Sequence, residues 1–254
     1  MRTPLIVLES PLPMRAPRLF VEHTLEAGAE IPLGGDRSHY LLTVMRGKPG
    51  DPVHLFNGRD GEWHATIARK DRRQCLLTVA KSLRAQTAPP DIHFYFAPLK
   101  KARLDYLVQK ATELGASRIQ PVMTRHTVAQ RVNLERLRAN VVEAAEQCGA
   151  LWLPEVGDPL ALNTLLEGWD TQRTLIFCDE AEEAHPPLST LTALQSGPLA
   201  VLVGPEGGFA KQEREKLREQ AFVTSLSLGP RILRADTAGL AALTLAQAVL
   251  GDWS

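Results

Sequence analysis

The stretch LVGPEGGFAKQE, residues 202–213, joins an apolar run to a glycine-rich loop. Gly204, Gly207 and Gly208 fall within five positions, and the carboxylate of Glu206 lies among them. A phosphate-binding P-loop ends in Gly-Lys-Ser/Thr and a dinucleotide-binding loop reads G-x-G-x-x-G, and this loop has neither pattern. The sequence therefore predicts a ligand-binding loop at the end of a strand that differs from both familiar phosphate-binding loops.

The charge of Glu206 indicates what kind of ligand the loop binds. A carboxylate repels a phosphate placed beside it, whereas it favours a ligand with positive charge or several hydrogen-bond donors. S-Adenosylmethionine has a sulfonium, an ammonium and an adenine, and it contains no phosphate. The alternative is structural, because Glu206 is also placed to cap a helix predicted over 210–221.

A second glycine-bearing segment, LGPRILRADTAG at 228–239, ends the next predicted strand. Arg231 and Arg234 stand ahead of a helix that Asp236 or Thr237 is expected to cap. Arginines in such a loop suit a phosphate or a polarised carbonyl of a base, and a solvated turn is the alternative. Ligands of open α/β sheets bind outside the carboxyl ends of the strands, so both loops are places to look for a site.

Strand-like and helix-like segments alternate from residue 92 onwards. Apolar strand candidates are 92–99, 118–123, 174–179, 199–204 and 224–229, and helical segments are predicted near 101–115, 133–149, 188–195, 210–221 and 236–250. This alternation predicts an α/β fold with a parallel sheet covered on both faces. The last helix, DTAGLAALTLAQAVLG, has no polar face, which predicts burial in the core or in a subunit interface.

The first third of the chain has a different pattern of apolar residues. Short apolar runs between Arg18 and Leu83 are broken by turn residues, NGRDGE at 57–62 is typical of a β-hairpin, and one helical piece lies at 37–46. These features predict a small β-barrel or sandwich. The predicted divisions are an N-terminal extension at 1–16, disordered or misassigned over 1–13, a barrel at 17–84, a linker at 85–91 and an α/β domain at 92–254.

Composition narrows the class of protein. Hydrophobic residues make up 44% of the 254 residues and charged residues 23%, which is typical of a globular protein. The three cysteines and the histidines lack metal-ligand spacing, no apolar run has the length of a membrane span, and no signal peptide is recognisable. We therefore expect a cytoplasmic protein with no metal and no membrane partner. Residues 1–90 carry 13 Lys and Arg against nine Asp and Glu, which indicates a basic, anion-facing first part, the alternative being a chance scatter of surface charge.

Four motifs resemble the signatures of one family, in the order of the chain: QKATELG (109–115), AAEQCG (144–149), LVGPEGGF (202–209) and LGPRILRADTA (228–238). They are similar to those of the bacterial 16S rRNA uridine-N3 methyltransferases, the RsmE family of the SPOUT superfamily. HYLLTVMRGKPGDPVHLFNGRDGEWHA resembles the N-terminal barrel of that family. Four motifs in register make the resemblance specific.

The resemblance implies an N-terminal PUA-like RNA-binding β-barrel, followed by a SPOUT α/β domain with a C-terminal trefoil knot. It implies S-adenosyl-L-methionine as cofactor, 16S rRNA of the small ribosomal subunit as partner, and a homodimer through the C-terminal domain. The implied activity is methylation of N3 of a specific uridine in that RNA. The alternatives are a SPOUT methyltransferase for another RNA position, a catalytically silent RNA-binding ribosome-assembly factor, or an ordinary α/β enzyme with a phosphate ligand.

The resemblance also implies site residues. The expected cofactor-binding residues are Phe177, Leu202, Val203, Gly204, Pro205, Glu206, Gly207, Gly208, Leu228, Gly229, Ile232, Leu233 and Thr237. Arg234, with Arg231 as second choice, is the expected contact to a base carbonyl or a phosphate, and Glu206 is expected to position the cofactor or its loop rather than to act as a general base. The expected RNA-binding residues are Arg18, Arg46, Lys48, Lys100, Lys101 and Arg125, with Arg69, Lys70, Arg72 and Arg73 as further basic candidates.

The sequence departs from the family pattern at three places. Ala235-Asp236 stands where Thr-Glu is frequent, and Ala150 stands where an arginine is expected. TRH at 124–126 replaces a more usual Ser-Glu-Arg, which makes Arg125 the candidate substitute for the missing arginine.

Overall fold

The computed structural model describes residues 16–70, 74–129, 131–180 and 186–253. The predicted N-terminal extension, apart from Ala16, lies outside the described residues, as do Arg72, Arg73 and the side chain of Lys70. The chain divides into two compact units between Thr87 and Ala88.

The first unit is built on a five-stranded sheet. Its strands are β1 (Arg18–Phe20), β2 (Glu30–Leu33), β3 (Pro52–Phe56), β4 (Glu62–Lys70) and β5 (Cys75–Arg84), in the spatial order β1-β3-β4-β5-β2. Strands β1 and β3 run parallel and the other neighbours antiparallel. The predicted hairpin joins β3 to β4, where the side-chain oxygen of Asn57 accepts hydrogen bonds from the N–H groups of Arg59 and Asp60 at 3.0 and 2.8 Å.

The helical piece between β2 and β3 differs in detail from the prediction of one helix over 37–46. A short helix α1 (Gly35–His39) continues as a π-helical turn over Tyr40–Val44. Leu41 and Leu42 of this turn are buried in the core of the unit. Arg46 follows with φ of 57°, a left-handed conformation that residues other than glycine seldom adopt.

A buried ion cluster ties β1, β4 and the end of β5 together. The carboxylate of Glu62 is fully buried and accepts hydrogen bonds from Arg18 and from Arg84, the latter at 2.7 Å. Burial alone would raise the pKa of this carboxyl, but the hydrogen bonds from Arg84 and Arg18 outweigh burial and hold the pKa below its ordinary value. The Arg18 guanidinium also lies 3.9 Å from the ring centroid of Phe56. Arg18, an RNA-binding candidate, therefore contributes to the packing of its own unit.

The second unit contains a seven-stranded parallel sheet. Its strands are β6 (Ile92–Phe96), β7 (Arg118–Met123), β8 (Glu155–Val156), β9 (Leu160–Ala161), β10 (Thr174–Cys178), β11 (Leu199–Val203) and β12 (Val223–Leu226). The spatial order is β12-β10-β11-β6-β7-β8, with β9 also beside β7. Every strand pair is parallel, as the alternation of strands and helices predicts.

Helices cover both faces of this sheet. They are α2 (Lys101–Glu113), α3 (Leu134–Cys148), α4 (Leu162–Glu167), α5 (Pro187–Thr192), α6 (Lys211–Arg218) and α7 (Ala235–Leu250). Phe94 and Phe96 pack in one core with α2, α3 and α7, whereas Tyr95 and Leu202 pack in a second core with α4 and α6. The short elements β8, β9 and α4 have no counterpart in the sequence prediction, because two-residue strands and a six-residue helix are too short for a periodic pattern.

The terminal helix α7 buries one side and leaves the other partly exposed. Gly239, Ala242, Leu243 and Ala246 are buried, and a Cβ at Gly239 would lie only 2.9 Å from the ring of Phe94. The helix begins at Ala235 after Arg234, so the predicted cap at Asp236 or Thr237 is wrong. In the described part of the chain, no helix has the length and apolar character needed to cross a membrane.

Candidate cofactor site

A cavity of about 490 Å³ lies at the carboxyl ends of β10, β11 and β12. The two glycine loops meet there, which is the arrangement expected for open α/β sheets. Of the residues predicted for the site, those lining the cavity are Val203, Gly204, Pro205, Glu206, Gly208, Leu228, Gly229, Arg231, Ile232, Leu233 and Arg234.

Four other predicted cofactor residues lie near this lining. Phe177 and Leu202 are fully buried in the strands that lead to the cavity, and the Phe177 ring packs edge-on against the cavity residue Phe209 with centroids 5.0 Å apart. Gly207 faces the side chain of His126. Thr237 is exposed in the first turn of α7, where its N–H donates to the carboxylate of Asp236 at 3.0 Å.

The cavity has an uncharged floor and a charged rim. Five of its lining residues are between 1% and 8% exposed and carry no charge: Val203, Phe209, Leu226, Ser227 and Ala235. Among the lining residues, Asp179 has the one deeply buried carboxylate, and it is paired with Arg218 at 2.7 Å. The charged lining residues of the rim are Arg103, Glu180, Glu206, Arg214, Arg231 and Arg234. Such a site accepts an uncharged ring in its floor and charged or polar groups at its rim.

Glycine is required where the first loop turns. A Cβ at Gly204 would lie 2.6 Å from the Phe209 ring, and a Cβ at Gly208 would lie 2.2 Å from the carboxylate of Glu180. Gly208 also has φ of 65°, in the left-handed region that glycine adopts at no steric cost. Gly204 is therefore required by close packing against Phe209, and Gly208 by its left-handed backbone, since the Glu180 carboxylate ends an exposed, flexible side chain.

Glu213, rather than Glu206, caps helix α6. Its carboxylate accepts hydrogen bonds from the N–H of Ala210 at 2.9 Å and of Arg125 at 2.8 Å. The capping alternative for Glu206 is therefore wrong. The carboxylate of Glu206 lies at the rim, 3.9 Å from the guanidinium of Arg103.

Arg103 was missed by the sequence prediction, and it connects the two loops. Its guanidinium lies 3.9 Å from Glu206 of the first loop and 4.0 Å from Asp236, which follows the second. Arg103 belongs to the first turn of α2, far earlier in the chain than either carboxylate. In the sequence, Arg103 stands six residues before the QKATELG motif, and this position alone did not show which residues it would contact.

The loop after β7 supports the first glycine loop. Nδ1 of His126 lies 3.1 Å from the carbonyl oxygens of both Gly207 and Gly208, and it must carry a proton to donate to either. The neighbouring Arg125 places its guanidinium 3.5 Å from the side-chain oxygen of Gln212. The segment Thr124–His126 therefore contacts the loop and α6 through its own side chains.

The chemistry of Cys178 is suppressed at this site. Burial, with a smaller effect of the Asp179 charge, raises the pKa of its thiol to about 12. The thiol is therefore protonated at neutral pH and is a poor nucleophile. The described residues contain no group of histidine, cysteine or carboxylate side chains suited to holding a metal ion.

The remaining RNA-binding candidates are exposed. Arg46 and Lys48 follow the π-helical turn of the first unit. Lys100 and Lys101 precede and begin α2 in the second unit. Their exposure leaves them accessible to an RNA backbone.

Two family models match the chain. A model described as an RNA methyltransferase domain matches residues 86–247, and one described as an RNA methyltransferase PUA domain matches residues 33–80. The first alone covers more than half of the chain.

Relatives match over most of their length. The chain is 32% identical to the ribosomal RNA small subunit methyltransferase E of Rickettsia conorii, over 91% of this chain and 94% of that protein. It is 29% identical to the protein of the same name from Bacillus subtilis, over 89% and 94% of the two chains.

Solved structures agree with the sequence matches. The structure of ribosomal RNA small subunit methyltransferase E from Neisseria gonorrhoeae, bound to S-adenosylmethionine, is 27% identical with a TM-score of 0.80, over 94% of this chain and all of that chain. A Legionella pneumophila protein solved with S-adenosylmethionine bound as cofactor is 26% identical with a TM-score of 0.82, over 94% and 100% of the two chains. The resemblance found in the four motifs is thereby confirmed: the chain belongs to the family of the ribosomal RNA small subunit methyltransferases E and has its PUA and RNA methyltransferase domains.

Proposed function

We propose that this protein methylates N3 of a specific uridine in 16S rRNA, with S-adenosylmethionine as methyl donor. The observation that carries the proposal is the cavity formed by the two glycine loops, with its uncharged floor and its carboxylates at the rim, in a chain of this family. A cytoplasmic location is part of the proposal, because ribosomal RNA is its substrate.

The residues of the cavity fit S-adenosylmethionine. The buried, uncharged floor suits the adenine ring, and the backbone at Gly229, where a Cβ would meet no atom within 4 Å, is open to close approach by a ligand. Glu206 and Glu180 at the rim provide negative charge for the sulfonium and ammonium groups. When bound, this cofactor supplies an electrophilic methyl group.

The protein must present uridine N3 as a nucleophile. N3 carries a weakly acidic proton, and its negative charge spreads onto two base carbonyls once that proton leaves. Arginines at the rim, among them Arg231 and Arg234, are placed to bind such an oxygen or an adjacent phosphate. N3 is paired in duplex RNA, so the target base enters the cavity unpaired or flipped out.

We also infer a trefoil knot in the second unit and a closed barrel in the first. The path of the chain supports the knot: β12 is the edge strand beside β10, and the chain then returns through the second glycine loop to α7, which packs on β10 and β11. The boundaries that we propose remain 17–84 for the barrel, 85–91 for the linker and 92–254 for the methyltransferase domain.

A homodimer through the C-terminal domain is part of the proposal. It is supported by an outward strip on α7, in which Thr237, Thr244 and Ala248 are exposed and Ala241 is half-buried. A helix with so few polar residues is more stable when a second chain covers its exposed side.

RNA contacts are proposed for Arg46 and Lys48 of the first unit and for Lys100 and Lys101 of the second. Arg125, whose guanidinium lies beside Gln212 of α6, is a further candidate for an RNA contact. Contacts of this kind to phosphates position the RNA and make binding dependent on salt.

The test is transfer of a labelled methyl group to small ribosomal subunits from a strain that lacks this protein, with the modified nucleotide mapped by mass spectrometry. We expect one new N3-methyluridine in 16S rRNA. A methyl group at another RNA position would favour the alternative SPOUT methyltransferase. Absence of S-adenosylmethionine binding in calorimetry would favour the silent assembly factor.

A further inference from the structure

We propose that Arg103 binds the ionised target base: its guanidinium donates hydrogen bonds to a carbonyl oxygen of the uracil whose N3 has lost its proton. The inference rests on the proposed function and identifies the residue that makes uridine reactive at this site. Arg103 lines the cavity at its rim, and its side chain is 39% exposed.

Two carboxylates lie beside Arg103 and leave its hydrogen-bond donors unused. Glu206 and Asp236 lie 3.9 and 4.0 Å from its guanidinium nitrogens, distances at which charge attraction acts but a hydrogen bond does not form. Within the described residues its guanidinium makes no hydrogen bond. The planar fork of N–H donors is therefore oriented by two carboxylates and still available to a ligand.

Arg103 is also better anchored than the two arginines of the second loop. It belongs to the first turn of α2, whose residues Leu104, Leu107 and Val108 are buried in the core. Arg231 and Arg234 are exposed, and neither side chain has an ion pair with any described residue. A donor that is fixed before the substrate arrives stabilises developing charge at a lower reorganisation cost than one that must be ordered.

The reaction gives this donor a defined role. The N3 proton leaves to a base in the solvent, and the charge left on the ring is shared by its two carbonyl oxygens. The N3 lone pair then forms a bond to the methyl carbon of the sulfonium donor, and the electrons of the broken carbon–sulfur bond remain on sulfur. A guanidinium at a carbonyl oxygen lowers the pKa of N3 in the bound uridine and so increases the reactive fraction at neutral pH.

The experiment compares Arg103→Gln with wild type in single-turnover methylation of small subunits at saturating S-adenosylmethionine, over a range of pH. We expect the rate near neutral pH to fall about 10²–10³-fold, as for loss of one oxyanion donor. The deficit should shrink as pH rises, because more of the bound uridine then ionises without help. Calorimetry should give the same S-adenosylmethionine affinity for both proteins.

Matched variants separate catalysis from folding. Arg138→Gln removes an exposed arginine from α3 and should leave rate and pH profile unchanged. Arg103→Lys keeps the cation between the two carboxylates but loses the fork, and it should recover part of the rate if Arg103→Gln proves unstable.

Three outcomes overturn the inference. Weaker cofactor binding with a normal rate at saturation would make Arg103 a cofactor residue. A deficit of equal size at every pH would make it a positioning residue for Glu206 and Asp236. A wild-type protein that transfers no methyl group to uridine N3 would overturn the proposed function and this inference together.

Discussion

At Gly204 the backbone passes so close to the Phe209 ring that a methyl group has no room. A Cβ at this position would lie 2.6 Å from that ring, which is itself packed against Phe177. We expect Gly204→Ala to displace Phe209 towards the cavity and to destabilise the protein by about 1–3 kcal/mol, as overpacked cores do. Cofactor affinity, measured by calorimetry, should fall together with the melting temperature.

Gly197→Ala is the control for this prediction, because a Cβ at Gly197 meets no atom within 4 Å. Its effect on stability should stay within about 0.5 kcal/mol. Equal behaviour of the two variants would show that the loop can yield around Phe209 and that the glycine is not required there.

His93, at the second position of β6, makes the stability of the protein decrease as the pH falls. Burial, helped by the charge of Arg173, lowers its pKa to about 4, although the carboxylate of Asp91 lies 3.7 Å away. The folded state thus favours neutral His93, whose contribution to stability is complete above the unfolded pKa of 6.5 and is lost as pH falls towards 4. The free energy of unfolding should therefore decline over that range, and His93→Gln should remove up to about 3 kcal/mol of this decline. The measurement is the melting temperature of both proteins as a function of pH.

The matched variant is His39→Gln, which changes an exposed histidine of the first unit. It should leave the acid dependence as in wild type. A His93→Gln protein with an unchanged decline between pH 6.5 and 4 would place the acid sensitivity at other groups.

The outward strip of helix α7 allows a test of the oligomeric state. Thr244 and Ala248 are exposed on the outward strip, so replacing both with arginine should disturb neither core. If α7 forms the proposed dimer interface, Thr244→Arg with Ala248→Arg should convert the dimer to a monomer in light scattering, because unpaired charges are costly to bury.

Leu188→Arg serves as the comparison, since Leu188 of α5 is 54% exposed and does not belong to the outward strip of α7. It should leave the oligomeric state unchanged. A dimer that survives both α7 substitutions, with circular dichroism unaltered, would contradict the proposed interface.

Helices and strands with a clear period of apolar residues were predictable from the sequence. Very short elements, and contacts between residues far apart in the chain, were not. The helices that became α2, α3 and α7 and the five longer strands of the parallel sheet follow from apolar spacing. Strands β8 and β9 depend on pairing with β7 rather than on their own residues. Arg103 could not be linked to Glu206 and Asp236 because sequence spacing does not report which distant elements meet, and Glu213 was overlooked as a cap because it lies three residues inside the helix.

The division of the chain was readable because the two units follow different periodicities. Alternation of short strands and turns before Thr87, and of strands and helices after Ala88, reflects the separate cores of the two units. The role of Arg18 was less accessible, since its cluster with Glu62 pairs residues 44 positions apart. Basic residues near the start of the chain therefore had to be sorted by structure into those that pack and those that stay exposed.

The exposed basic residues of the first unit give the prediction for the whole molecule. If Arg46 and Lys48 contact phosphates, reversing both charges should weaken binding to 16S rRNA and reduce the slope of log affinity against log salt by about one to two, roughly one unit for each lost contact. The matched control, Arg59→Glu with Lys81→Glu, makes the same change of charge at other exposed positions of this unit and should have a smaller effect. Affinity for S-adenosylmethionine should stay unchanged in both, because the cavity is lined by residues of the second unit. An unaltered salt slope in the Arg46 and Lys48 variant would mean that RNA docks elsewhere and that the first unit is basic for another reason.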